Sequence, residues 1–100
     1  MEENIQILGL KDFNEKEQNE VLELTQRYYE KIERNLPGLL KIHAKKHDKA
    51  GERSKYSFHA KVQLPESLIN VRDDDWILAT ALHKVLKKVE NQVKHKFKNE

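Results

Sequence analysis

The chain contains no cysteine. That excludes disulfide stapling, thiolate catalysis and cysteine-ligated zinc, and it is compatible with a reducing cytosol. No apolar run approaches the roughly 20 residues that span a bilayer, and the acidic, interrupted start is no signal peptide. A cytoplasmic protein with no membrane partner is expected. There is no glycine-rich phosphate loop, no nucleophile elbow and no histidine–glutamate zincin pattern. Every positive argument for an enzyme is thereby removed, and no cofactor or small-molecule substrate is expected. No internal repeat or low-complexity segment occurs. Of the aromatic residues only one is tryptophan, Trp76.

Charge, by contrast, is abundant. Nineteen Lys and Arg face 17 Asp and Glu, a formal net charge of +2 over 100 residues, which is the length of one domain covering 1–100. The distribution says more than the sum. Acids crowd residues 2–33 and 73–75, whereas bases dominate 41–61 and 84–98. A chain divided in this way presents a basic surface at near-zero net charge.

Periodicity supplies the elements. Residues 4–10 form a short apolar run, with Ile5 and Ile7 on one face and Leu8 and Leu10 on the other, as in an interior or partly covered strand that ends or bulges at Gly9. Asn14 followed by Glu17 is a capping box for a helix over 15–36. Val21, Leu24, Tyr28, Ile32 and Leu36 make its buried stripe, and Pro37-Gly38 stops it. Its outer side is mixed, with Arg27, Lys31 and Arg34 toward the end.

From Leu39 the period becomes two. Leu40, Ile42 and Ala44 alternate with Lys41, His43 and Lys45; Tyr56, Phe58, Ala60, Val62 and Leu64 alternate with Lys55, Ser57, His59, Lys61 and Gln63. These are half-buried strands joined by a polar loop around Gly51. If His47 pairs with Lys55, His43 falls opposite His59 and Lys41 opposite Lys61. After Pro65-Glu66, residues 67–73 read as a shorter edge strand, with Leu68, Asn70 and Arg72 on one face and Ile69 and Val71 on the other. The last helix follows, with Asp73, Asp74 and Asp75 capping its start. Leu78, Leu82, Val85, Val89 and Val93 form its core stripe. Lys84, Lys87, Lys88, Asn91, His95 and Lys98 form a cationic ridge on the other side, interrupted only by Glu90. The expected class is α+β, in the order β-α-β-β-β-α, with two helices packed on one face of a four-stranded sheet.

Five histidines raise the question of a metal. His43 and His47 would sit about 13 Å apart on a strand, and His43 with His59 lacks a third ligand, so no metal site is expected. The acid triplet is read as capping. Trp76 is expected to lodge between helix and sheet. The outward sheet positions carry no aromatic residue, which favours contact with phosphates over base stacking.

The element order and the segment DDDWILATALHKVLKKVENQVKHKFK resemble the ribosome hibernation-promoting and ribosome-associated translation inhibitor family. Ala81-Leu82, Lys88-Val89 and Gln92-Val93 stand where that family has Ala-Ile, Lys-Leu and Gln-Leu steps. The resemblance covers about 4–98 and implies a fold related to the double-stranded RNA-binding domain. It also implies binding to rRNA in the cleft of the small ribosomal subunit, occlusion of the mRNA and tRNA sites, and the short form of the family. The family's basic helix positions map by type onto Lys84, Lys87, Lys88 and Lys94. The candidate RNA-binding residues are these with His95 and Lys98, and Lys41, Lys45, Lys61 and Arg72 on the sheet. The alternative function is a protein–protein module that docks an acidic partner, or a second copy, through an edge strand or the open sheet face.

Overall fold

The computed structural model describes residues 5–32, 38–48, 53–64 and 67–98. Strand β1 (Ile5–Leu8) is followed by a 3-10 turn (Leu10–Asp12), helix α1 (Glu15–Ile32), strands β2 (Leu40–Asp48), β3 (Ser54–Gln63) and β4 (Leu68–Asp75), and helix α2 (Leu78–Lys98). The sheet runs in the order β1-β2-β3-β4. β1 is parallel to β2; the other two pairings are antiparallel. The α+β order is the expected one; the hairpin register, left open by the sequence, is the conditional one considered above. His47 pairs with Lys55, His43 with His59, and Lys41 with Lys61.

One core lies between the sheet and both helices. Leu40, Ile42, Ala44, Phe58, Ala60, Val62, Ile69 and Val71 meet Val21, Tyr29 and Ile32 of α1 and Leu82, Val85, Leu86, Val89 and Val93 of α2. All these strand residues share one face, because alternate side chains on a strand point the same way. Among the described residues no helix covers the opposite face, and its charged side chains meet solvent.

Helix α1 begins as expected. The Asn14 amide donates to Glu17 Oε1 (3.0 Å) and the Glu17 amide to Asn14 Oδ1 (2.7 Å), the reciprocal bonds of a capping box. Gly9 ends β1 at φ +89°.

Four expectations need correction. Of the two readings of β1 the interior one falls: it is an edge strand, with Ile5, Ile7 and Leu8 half-buried, which fits the partly covered reading. The α1 stripe is Val21, Thr25, Tyr29 and Ile32, while Leu24 and Tyr28 are half-buried at its margin. The helix is rotated so that Tyr28 meets α2, its hydroxyl 2.6 Å from His83 Nδ1. Leu36 lies outside the described residues, as do Arg34, Pro37, Gly51, Pro65 and Glu66.

The third and fourth corrections concern the acid triplet and Trp76. Asp73, Asp74 and Asp75 do not cap α2; they are the last residues of β4, paired with Phe58, Ser57 and Tyr56. The first turn of α2 contains no acid. Alternation decides this outcome. Asp73 and Asp75 continue the inward face of Ile69 and Val71, where lysines of α2 reach them. Trp76, two residues before the helix, is 40% exposed rather than lodged in the core.

Candidate nucleic-acid interface

The strand register arranges the open face in rows. Gln6, Lys41, Lys61 and Asn70 lie side by side across the four strands, then Leu8, His43, His59 and Arg72. Lys45, Ser57 and Asp74 form a third row, and His47 with Lys55 a fourth. Lys41, Lys45, Lys61 and Arg72 are exposed, and none forms an ion pair with an acid among the described residues. Asp74 is the acid on the face, 3.6 Å from Lys55. Polar neighbours hold two of the three histidines in place: His59 Nε2 bonds Asn70 Oδ1, and His47 Nε2 lies 3.0 Å from Ser57 Oγ. The face is thus a short cationic lattice with uncompensated lysines at its centre. An anionic polymer gains most from charges of this kind, since it displaces no internal partner.

Helix α2 differs. Lys84 Nζ lies 3.5 Å from Asp73 and 3.1 Å from Asp75, and Lys88 Nζ lies 3.1 Å from Asp73. Lys87 and Lys94 both reach Glu90, at 3.5 and 3.1 Å. Glu90 is only 7% exposed, and the one acid that interrupts the ridge neutralises Lys87 of the ridge and Lys94 beside it. The carboxyls register these contacts. The Asp74 amide, then Lys88 and Lys84, holds Asp73 below its usual range. The Ile77 amide and Lys84 do the same for Asp75. For Glu90, the bond from Lys94 and the charge of Lys87 outweigh burial. Lys84 is raised in turn, chiefly by its bond to Asp75. His95 is exposed on the same helix, and the side chain of Lys98 lies outside the described residues.

The candidate residues therefore divide. Lys41, Lys45, Lys61 and Arg72 share the open face. Lys84, Lys87, Lys88, Lys94 and His95 belong to the helix on the other side of the sheet. The two groups meet at the β4 edge, where Lys88 Nζ donates to the Arg72 carbonyl (3.1 Å) beside a shallow groove lined by Asn70, Arg72, Lys88, Asn91 and Gln92. That bond also covers part of the edge, the position an added strand would use.

Sequence reasoning missed Trp76 as a surface residue. The Arg53 guanidinium lies 4.5 Å from the centre of its ring, and Lys55 Nζ lies 5.5 Å from it. The available signal was the even-numbered outward phase of β4, which runs Asn70, Arg72, Asp74 and then Trp76. Among the described residues, no group of three or more His, Asp or Glu is placed to hold a metal ion. No helix among them is long and apolar enough to cross a membrane.

No protein-family model matches the chain, and none of the curated proteins matches it. Solved structures do. The N-terminal domain of Protein Y from Thermus thermophilus aligns over 95% of this chain and 98% of its own, with a TM-score of 0.61 at 20% identity. A ribosomal subunit interface protein from Coxiella burnetii aligns over 96% and 98%, with a TM-score of 0.65 at 23% identity. The chain shares their fold over 95–96% of its length.

Proposed function

We propose that this protein is a non-enzymatic, ribosome-associated RNA-binding protein of the hibernation-promoting type, acting in the cytoplasm on the small ribosomal subunit. It lies in the cleft between head and body, overlaps the mRNA and tRNA sites, and keeps the ribosome inactive by occupying space. The observation that carries this reading is the open sheet face. Lys41, Lys45, Lys61 and Arg72 form one exposed surface without acidic partners among the described residues, on a fold shared with a ribosomal subunit interface protein. The likeness in sequence between the last helix and the family supports it further.

Binding here is a matter of phosphate neutralisation and shape, with no bond made or broken. Each lysine that meets a phosphate releases condensed counterions, so affinity falls steeply with salt. The helix ridge contributes where its lysines exchange an internal carboxylate for a phosphate. Such an exchange gains less than a contact made by a lysine with no partner.

The test is co-sedimentation with ribosomes through a low-salt sucrose gradient. The triple variant Lys41→Glu, Lys45→Glu, Lys61→Glu should leave the ribosomal fractions while keeping its melting temperature, because all three side chains are exposed. Retention of the triple variant on ribosomes would refute the sheet-face reading.

A further inference from the structure

The open face ends on an aromatic residue that the core does not use. Phe13, Tyr29 and Phe58 are buried and Tyr28 and Tyr56 half-buried, whereas Trp76 is 40% exposed and Ile77 beside it 62%. The position of Trp76 is fixed by its neighbours. Asp75 points inward to Lys84 and its Oδ1 accepts from the Ile77 amide (3.2 Å), so the backbone on both sides of Trp76 is held. The Arg53 guanidinium packs on the indole, and Lys55, tied to Asp74, flanks it. By the alternation of β3 and β4, Lys55 and Trp76 belong to the same side of the sheet as Lys45 and Arg72. The result is a flat ring at the end of a cationic lattice, with two further cations over its π-system.

We propose that Trp76 is a stacking platform for an unpaired RNA base whose flanking phosphates are held by Arg53, Lys55 and Lys45. This deepens the function proposed above and rests on it, because it takes RNA as the polyanion on the open face. Every base has a π-face, so an exposed ring beside cations recognises a single-stranded nucleotide whatever its sequence. Cations alone would bind any polyanion; the ring adds discrimination between a chain with bases and one without. A duplex, whose bases are already stacked, gains nothing from it. The structure thus assigns to one end of the face a preference for an unpaired nucleotide. A protein partner without an acidic surface would gain little from the surrounding cations.

Trp76 is the only tryptophan, so its fluorescence reports on this position alone. The experiment titrates the intact chain, at low salt, with a single-stranded RNA decamer, with a duplex of the same length and with inorganic polyphosphate. The decamer should quench the fluorescence, whereas polyphosphate should bind without quenching. Trp76→Ala should weaken the decamer about tenfold or more and leave polyphosphate unchanged, with Trp76→Phe retaining most of the affinity. Decamer binding without quenching, and with Trp76→Ala equal to wild type, overturns the platform while leaving the RNA-binding reading intact. A dimer abolished by Trp76→Ala, with RNA affinity unchanged, also overturns it, and makes the ring a protein contact. If neither RNA nor polyphosphate binds, the reading of the open face itself falls, and the platform with it.

Discussion

At Gly9 the chain leaves β1 with φ +89°, and a Cβ there would lie 2.1 Å from the Ala44 carbonyl oxygen. Conformation and space both demand glycine. Gly9→Ala should cost at least about 2 kcal/mol, from left-handed strain together with overpacking against backbone, and chemical denaturation measures it directly. The sequence marked Gly9 as a strand end but held no sign of the Ala44 contact, which arises only when β1 lies parallel beside β2. The same limit applies to Glu17. Its capping partner Asn14 is three residues away and legible in the pattern. Its other partners, Lys46 (2.9 Å) and the Tyr56 hydroxyl (2.6 Å), come from distant strands. Trp76 is the converse case: an apolar side chain is ordinarily assigned to the core, and only the phase of β4 places it outside.

Among the elements, α1 is held to the sheet through that same carboxylate. Burial alone would raise the pKa of Glu17, but bonds from Tyr56, Lys46 and the Asn14 amide hold it below the ordinary value. A carboxyl depressed in the folded state stabilises above its unfolded pKa, roughly 4.3, and loses that contribution as pH falls through the lower folded value. Glu90 has the same sign. The melting temperature should accordingly hold steady at neutral pH and drop below about pH 4. Glu17→Gln should destabilise by about 1–3 kcal/mol at pH 7, with the gap to wild type closing in acid, when melts are compared from pH 7 to 3. Element order and the facing of β2 and β3 were legible because alternation of Leu, Ile, Ala and Val with Lys and His leaves a single phase; the register between the two strands was not, since a shift by two residues keeps every side chain on its face. The β4–α2 boundary was not, since three consecutive acids suit a helix start as well as a strand whose inward acids meet lysines. The choice depends on where Lys84 and Lys88 arrive in space.

For the molecule as a whole, what matters is which charges are already spoken for. The positive ridge of α2 was visible in the sequence; its compensation was not, because Asp73 and Asp75 were assigned to a cap and Glu90 to the surface. The two cationic groups should therefore respond differently to substitution. Lys41→Ala with Lys61→Ala should weaken RNA binding and lower the slope of log affinity against log salt by about 1 per lost phosphate contact, with stability unchanged. Lys87→Ala with Lys94→Ala leaves Glu90 buried without these partners, and should destabilise the fold by roughly 1–3 kcal/mol. Binding isotherms over a salt series, run beside thermal melts, separate the two patterns.

On β2 and β3 the letters that fill the interior and those that face outward are interleaved one by one. Substitution can rewrite the outward set and redirect the protein toward another ligand while the interior set goes on specifying the same shape. Insertion of a single residue exchanges the two sets beyond it, burying lysines and exposing side chains such as Ile42, Phe58 or Val62 in one step. Along these strands, drift by replacement is open and drift by changes in length is closed.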